Sequence, residues 1–119
     1  MFNFEKLSVY RQALELVDRI YNVTGKWPNA ERYGLADQLR RAAYSIVLNI
    51  AEGSSRKKRD FAHYLDVAKG SCYECVAIIT IARNRKFLSS ADYGMLYSDL
   101  DRIAKMISGL KRSLRITNN

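Results

Sequence analysis

Few residues in this sequence have the types and spacing that chemistry requires, and the first pair is Cys72 and Cys75. They have the C-x-x-C spacing of a redox pair or of half a zinc site. The same positions fall on the apolar stripe of a predicted helix, where cysteine packs as a small hydrophobic residue. A zinc site of this type needs a second ligand pair, and the sequence contains only 2 cysteines. We therefore interpret both as core residues and predict no metal site.

A second candidate is Asp60, which is followed three residues later by His63. This spacing places a carboxylate and an imidazole on one face of a helix, as in di-iron bundles, but those sites need the pair on two helices. The sequence has only 1 histidine, which also leaves a hydrolytic triad without support. No glycine-rich phosphate loop or dinucleotide fingerprint is present. The sequence thus predicts a protein that is not an enzyme and has no cofactor.

The third candidate is a run of four cations, Arg56 to Arg59, at the start of a predicted helix. Helix N-termini carry a partial positive charge, so each exposed cation there costs roughly 0.3 to 1 kcal/mol. The whole sequence has 20 basic and 12 acidic residues, a net charge of +8. A basic turn can be an ordinary solvated surface, but cations concentrated against local repulsion favour a contact with a polyanion.

Four helices are predicted to position these groups, because apolar residues recur every three or four positions in four segments. The predicted stripes are Leu7, Tyr10, Leu14, Val17 and Tyr21; Leu35, Leu39, Ala42, Ile46, Asn49 and Gly53; Phe61, Leu65, Ala68, Cys72, Cys75, Ile79 and Ala82; and Tyr93, Leu96, Leu100, Ile103, Ile107, Leu110 and Leu114. The connections are short. We therefore predict an all-α, up-down-up-down antiparallel four-helix bundle, with residues 1–119 forming a single domain and residues 116–119 loose.

Serines and polar residues predict how the second helix meets the third. Ser54 or Ser55 is expected to cap the third helix, as Ser89 caps the fourth. A hairpin that turns near Ser54 would bring Ser45 toward Tyr64, and by the same register it would bring Gln38 toward Ser71 and Glu74. Such buried polar contacts fix helix register, and the alternative is a ligand site.

The third helix carries two further signals. Gly70 lies in its middle, where glycine costs about 1 kcal/mol relative to alanine, so it predicts the close approach of another helix. The segment Cys75–Ala82 is apolar nearly all round. Either this segment lies at the centre of its own bundle, or a second copy covers it. We predict a homo-oligomer that uses Val76, Ile78 and Ile81 as contacts.

The up-down order places the start of helix 1, the turn between helices 2 and 3 and the end of helix 4 together. This end has eight cations and three carboxylates, a net charge of +5, whereas the opposite end has five cations and three carboxylates, a net charge of +2. The eight cations are Lys6, Arg56, Lys57, Lys58, Arg59, Lys111, Arg112 and Arg115. We predict that this end binds the backbone of RNA or DNA. The alternative is a scaffold whose basic end docks an acidic protein.

No segment of the sequence has the pattern of a membrane span or a signal peptide. The longest apolar run, residues 75–79, is far shorter than the roughly 20 residues that span a bilayer. The first residues lack the charged and apolar regions of a signal peptide. Two cysteines three positions apart do not suggest a disulfide framework. We therefore predict a cytoplasmic protein with no membrane contact.

Several of these segments resemble one known family. Glu31-Arg-Tyr-Gly-Leu35, Asn49-Ile-Ala-Glu-Gly53 with the basic turn after it, and Ala68-Lys-Gly-Ser71 are similar to the four-helix-bundle proteins also called 23S rRNA intervening-sequence proteins. The resemblance implies a bundle that assembles as a ring, typically a homopentamer, without enzymatic activity. It also suggests kinship with accessory variability proteins of diversity-generating retroelements, which are thought to bind nucleic acid and a reverse transcriptase. A reverse transcriptase is therefore an example of the acidic partner in the alternative interpretation.

Overall fold

The computed structural model describes residues 1–115, and all regular structure in that part of the chain is helical. The four α-helices are α1 Ser8–Thr24, α2 Leu35–Ser54, α3 Lys58–Asn84 and α4 Ser90–Ser113, with short 3-10 helices at Asn3–Lys6 and Asn29–Glu31. Each α-helix packs against the next along the chain, and α1 also packs against α4. The helices form an elongated body of 53 × 24 × 20 Å. The predicted all-α four-helix bundle is confirmed, while the expectation for residues 116–119 lies outside the described residues.

The apolar stripes predicted for α3 and α4 form the core of this bundle. Every member of the α3 stripe, from Phe61 to Ala82, is buried. The central members of the α4 stripe are between 0% and 1% exposed: Leu96, Leu100, Ile103 and Ile107. Burying an aliphatic side chain of this size contributes about 1.5 to 3 kcal/mol. These two helices therefore supply a large share of the energy that holds the bundle together.

The stripe predicted for α1 is wrong at two positions, while Leu7, Tyr10 and Val17 are half-buried against the core. Leu14 and Tyr21 were expected inside, yet they are 41% and 40% exposed. The residues that α1 buries are Val9, Ala13, Leu16, Ile20 and Val23. Both sets repeat every three or four positions, so the period alone does not choose between them. The observed face buries mainly aliphatic side chains, and the buried hydroxyl of Thr24 donates to the carbonyl oxygen of Ile20. The tyrosine hydroxyl stays at the surface, where it bonds the hydroxyl of Tyr44.

The connection between α2 and α3 lies later in the chain than predicted. α3 begins at Lys58, and its N-cap residue, Lys57, makes no side-chain capping bond. The prediction that Ser54 or Ser55 caps α3 is wrong, because both hydroxyls donate to carbonyl oxygens in the last turn of α2 at 2.8 Å. Ser89 does cap α4, since its Oγ accepts the backbone N–H of Asp92 at 3.1 Å.

The later turn changes which residues of α2 and α3 meet. Ser45 was predicted to lie toward Tyr64, but its Oγ accepts a hydrogen bond of 2.7 Å from Ser71, seven residues further along α3. Gln38 is exposed, and it lines a depression with Ile81 and Arg85 instead of lying near residue 71. A buried polar contact does join the two helices, with a different partner from the one predicted.

The close approach of α2 and α3 occurs at Gly53, and the prediction that Gly70 marks one is wrong within this chain. A Cβ atom added to Gly53 would lie 2.6 Å from Cβ of Tyr64 and 2.9 Å from Cδ1 of Phe61. Within residues 1–115, and apart from the backbone of its own helix, no heavy atom lies within 4 Å of a Cβ added to Gly70, which is exposed on α3. The packing of α2 against α3 therefore requires a glycine at Gly53. No contact within residues 1–115 explains why residue 70 is a glycine.

Cys72 and Cys75 lie in the core, as predicted, at 1% and 0% exposure. Loss of hydration on burial raises the pKa of Cys72 to about 12, and burial also raises the pKa of Cys75. Thiols with such pKa values stay protonated at neutral pH, so they are poor nucleophiles and poor metal ligands. Residues 1–115 contain no cluster of three or more His, Cys, Asp or Glu side chains suited to a metal ion. None of the helices in that range has the length and apolar character needed to cross a bilayer.

Candidate nucleic-acid interface

The start of α3 and the end of α4 lie side by side at one end of the bundle, where they form a groove of about 490 Å³. Apolar side chains such as Ile107 line it between the two helices, and charged side chains line it as well. Its charged residues are Arg59, Asp66, Lys69, Lys111, Arg112 and Arg115. We call this feature the basic groove. Five cations and one carboxylate give it a net charge of +4.

Within the part of the chain that the structure describes, one of the five cations is neutralised by a neighbour. Lys111 donates a hydrogen bond of 2.8 Å from Nζ to Oδ1 of Asp66, and both side chains are about half exposed. The other four cations, Arg59, Lys69, Arg112 and Arg115, form no ion pair within residues 1–115. The groove therefore keeps an uncompensated positive charge that water and mobile ions must solvate.

The structure brings together four of the eight predicted binding residues: Arg59, Lys111, Arg112 and Arg115 all line the basic groove. Lys57 and Lys58 are exposed where α3 begins. They extend the positive surface along the chain from Arg59, but they do not line the groove.

Arg56 and Lys6 lie outside the groove. Arg56 donates a hydrogen bond of 2.8 Å to Oε1 of Glu52, and its guanidinium lies 5.4 Å from the ring centroid of Tyr64. The bond to this carboxylate raises the pKa of Arg56. Lys6 ends the first 3-10 helix, which packs against α1 and α2 and has no contact with α3 or α4. The structure thus does not place either residue in the groove.

Lys69 is a groove residue that the sequence analysis missed. The predicted basic end contained only the outermost turn of each helix, whereas Lys69 lies about three turns into α3. The signal for it is helical spacing, because Ala62 and Lys69 are seven residues apart and line the same groove.

A second depression, of about 440 Å³, continues the basic groove toward the middle of the bundle. The two share Lys69, Ser108 and Arg112. The second is lined further by Tyr73 of α3 and Tyr97 of α4, which are 66% and 46% exposed. We call this depression the tyrosine groove. Both tyrosines lie outside the apolar stripes predicted for their helices. The sequence indicates that they are exposed only through this position.

The charged pair in the tyrosine groove is compensated. Lys105 donates a hydrogen bond of 2.8 Å from Nζ to Oδ2 of Asp101, one turn earlier on α4. This bond raises the pKa of Lys105. The net charge of the tyrosine groove therefore comes from Lys69 and Arg112, which it shares with the basic groove.

The three residues predicted to form a subunit contact do not share one surface. Ile78 is 5% exposed and belongs to the core of its own chain, so it offers little surface to a second copy. Val76 is half-buried and lines the tyrosine groove. Ile81 is 49% exposed. The chain itself thus covers most of the segment Cys75–Ala82, and the outward face with Ile81 stays open.

Comparisons with known proteins agree with this architecture. The family model described as 23S rRNA-intervening sequence protein matches residues 5–109. The fold is similar to a crystal structure of a protein with unknown function from the S23 ribosomal protein family of Bacteroides thetaiotaomicron VPI-5482. That structure matches with a TM-score of 0.80 and 21% sequence identity, over 87% of this chain and 95% of the other. No curated protein matches the sequence.

Proposed function

This chain belongs to the 23S rRNA-intervening sequence protein family, and we propose that it is a non-catalytic cytoplasmic protein that binds the backbone of RNA or DNA through the basic groove. One observation carries the proposal. Arg59 comes from the start of α3, whereas Arg112 lies in the last turn of α4 and Arg115 just after it. The fold gathers all three at one groove without carboxylate partners in residues 1–115. Guanidinium groups so placed suit phosphate oxygens, because they can donate two parallel hydrogen bonds.

Binding of a polyanion would also reduce the electrostatic repulsion at the start of α3. Lys57, Lys58 and Arg59 stand at the N-terminus of α3, where each exposed cation costs roughly 0.3 to 1 kcal/mol. A phosphate placed there is attracted both by the cations and by the positive end of the helix. Each phosphate neutralised releases condensed counterions, so the affinity should fall steeply as the salt concentration rises.

Replacing Arg59, Arg112 and Arg115 together with glutamine is expected to weaken RNA binding at least tenfold at about 0.1 M salt. On a single strand each lost phosphate contact makes the slope of log K against log salt less steep by about 0.7, so the slope should fall by about 2. Fluorescence anisotropy of a labelled 20-nucleotide RNA over a salt series measures both quantities.

The matched control changes the same charge at the opposite end. Lys26, Arg32 and Lys86 are exposed there, and glutamine at all three also removes three positive charges. This control should keep most of the affinity. Equal binding by the two triple variants, with unchanged circular dichroism, would contradict a role for the groove.

The rival proposal is a scaffold whose basic groove docks an acidic protein such as a reverse transcriptase. The same arginines would then pair with carboxylates, which also accept two parallel hydrogen bonds. The isolated protein separates the two proposals. A chain that binds neither RNA nor DNA at low salt favours the protein partner.

We further propose that the protein is a homo-oligomer, a pentamer as the resemblance implies, and that the outward face of α3 is a subunit contact. Val67, Gly70, Ala77 and Ile81 lie on that face at helical spacing, with the exposed Glu74 between Gly70 and Ala77. Val67 and Ile81 are 41% and 49% exposed. Gly70 costs about 1 kcal/mol in a helix interior, and no other helix within residues 1–115 approaches it closely enough to need a glycine. The close approach of a second copy would explain it.

Ile81→Glu is expected to convert the oligomer to monomers of 13.7 kDa. The reason is that a carboxylate buried between copies loses its hydration without a partner. Light scattering at micromolar concentration measures the mass. Leu48→Glu, at an exposed position on α2, is the control and should leave the mass unchanged. A wild-type mass of 13.7 kDa at that concentration would contradict self-association.

A further inference from the structure

We infer that the basic groove and the tyrosine groove together form a single track for single-stranded nucleic acid, with bases stacked on Tyr73 and Tyr97 and the backbone held by the groove cations. The inference rests on the proposed function and specifies its ligand. It depends on two features of the tyrosine groove: its exposed aromatic rings and the cations that it shares with the basic groove.

The two tyrosine rings are placed where a base could reach them. They come from the two helices that form the tyrosine groove and are 66% and 46% exposed. The groove between them also includes the apolar side chains of Val76 and Leu100. Aromatic rings in a positively charged groove are how proteins bind single strands without sequence preference, because every base has a face that can stack.

Tyr97 has an aromatic neighbour on its own helix. Its ring lies 5.9 Å, centroid to centroid, from the ring of Tyr93, one turn earlier on α4. The guanidinium of Arg83 in turn lies 4.0 Å from the ring centroid of Tyr93. A ring supported in this way loses less conformational freedom when a base stacks on it.

The track has the length of a short oligonucleotide. Tyr97 and Arg112 are fifteen residues apart on α4, which corresponds to about 22 Å along the helix, and Arg115 lies just beyond its end. The shared residues Lys69 and Arg112 make the positive lining continuous over this distance. In a duplex, each base face inside the stack is already covered by the next base pair. Only an unpaired strand can therefore use the tyrosines and the cations at once.

The test compares three fluorescein-labelled 12-nucleotide probes by anisotropy: single-stranded RNA, single-stranded DNA and duplex DNA. The full-length protein should bind both single strands more tightly than the duplex. Tyr73→Ala and Tyr97→Ala should each weaken single-strand binding about tenfold and should leave duplex binding nearly unchanged. Tyr73→Phe and Tyr97→Phe keep the ring and should bind as the wild type does. Tyr33→Ala, at a tyrosine that is 86% exposed near the opposite end, is the control.

The outcomes separate this inference from the proposed function. If the alanine variants bind single strands as the wild type does while the Arg59, Arg112 and Arg115 variant loses binding, the track is overturned and the proposed function stands. If the wild type binds duplex DNA more tightly than the single strands, the track is likewise overturned. If the wild type binds none of the probes at low salt, both fail.

Discussion

Gly53→Ala is expected to lower the free energy of unfolding by about 2 kcal/mol. The added Cβ would lie 2.6 Å from Cβ of Tyr64, an atom that cannot move without the backbone of α3. Overpacking of this kind typically costs about 1 to 3 kcal/mol, with larger values when helices must separate. The better helix propensity of alanine returns up to about 1 kcal/mol, less here because the position is near the end of α2. The cost of overpacking is larger than the gain in helix propensity, so the substitution lowers the free energy of unfolding.

Gly70→Ala is the matched control, because the same substitution meets open space. We expect it to raise the free energy of unfolding by up to about 1 kcal/mol through helix propensity alone. Both substitutions should be made in the Ile81→Glu background, so that subunit dissociation does not add to the result. Urea unfolding measures the two free energies. A Gly53→Ala protein as stable as its parent would show that α2 and α3 can move apart without cost.

Removing the two arginines around Asp99 is expected to cost more than removing Asp99 itself. Asp99 is buried between α1 and α4, where it accepts hydrogen bonds of 2.7 Å from Arg19 and 2.9 Å from Arg102. The side chains of Arg19 and Arg102 are 39% and 45% exposed, so they can turn to water when the carboxylate is removed. The carboxylate, only 7% exposed, cannot regain its hydration in the same way.

The expected magnitudes follow from this asymmetry. Asp99→Ala loses two charge-assisted hydrogen bonds and should cost about 2 kcal/mol. The double variant Arg19→Ala and Arg102→Ala leaves a buried charge without a partner and should cost about 3 to 5 kcal/mol. Urea unfolding measures the free energy of unfolding of both variants and of the triple variant that lacks all three side chains. Together with the wild type, these proteins form a thermodynamic mutant cycle. The triple variant should be more stable than the double-arginine variant, and the opposite order would contradict this account.

The sequence was sufficient to predict the cores of α3 and α4, and it was not sufficient for α1. In α4, the aliphatic residues Leu96, Leu100 and Ile103 lie on one face, so the helical period assigns only that face to the core. In α1, apolar residues cover more than one face, and Leu14 and Leu16 are equally plausible core residues. The choice depends on which side faces the other helices, and this is decided by packing between segments that are far apart in the chain.

The candidate site could be predicted only in part, again because packing between segments that are far apart in the chain decides which residues line it. Counting charges at helix ends found Arg59 and Arg112, because an up-down bundle fixes which ends meet. It also included Arg56, whose bond to Glu52 depends on local rotamers. It missed Lys69 and Tyr73, because a groove between two helices depends on their relative rotation and register. The register was itself predicted two turns away from its observed position at Ser45 and Ser71.

The short connection between α2 and α3 also bears on how the chain folds. Three residues, 55–57, join the two helices, so α2 and α3 can find each other after closing a very small loop. Contacts between residues close in sequence form fastest, because little chain entropy is lost before they are made. The ion pair of Arg19 with Asp99 spans 80 residues. We therefore expect the α2–α3 hairpin to form early in folding and the contact of α1 with α4 to form late.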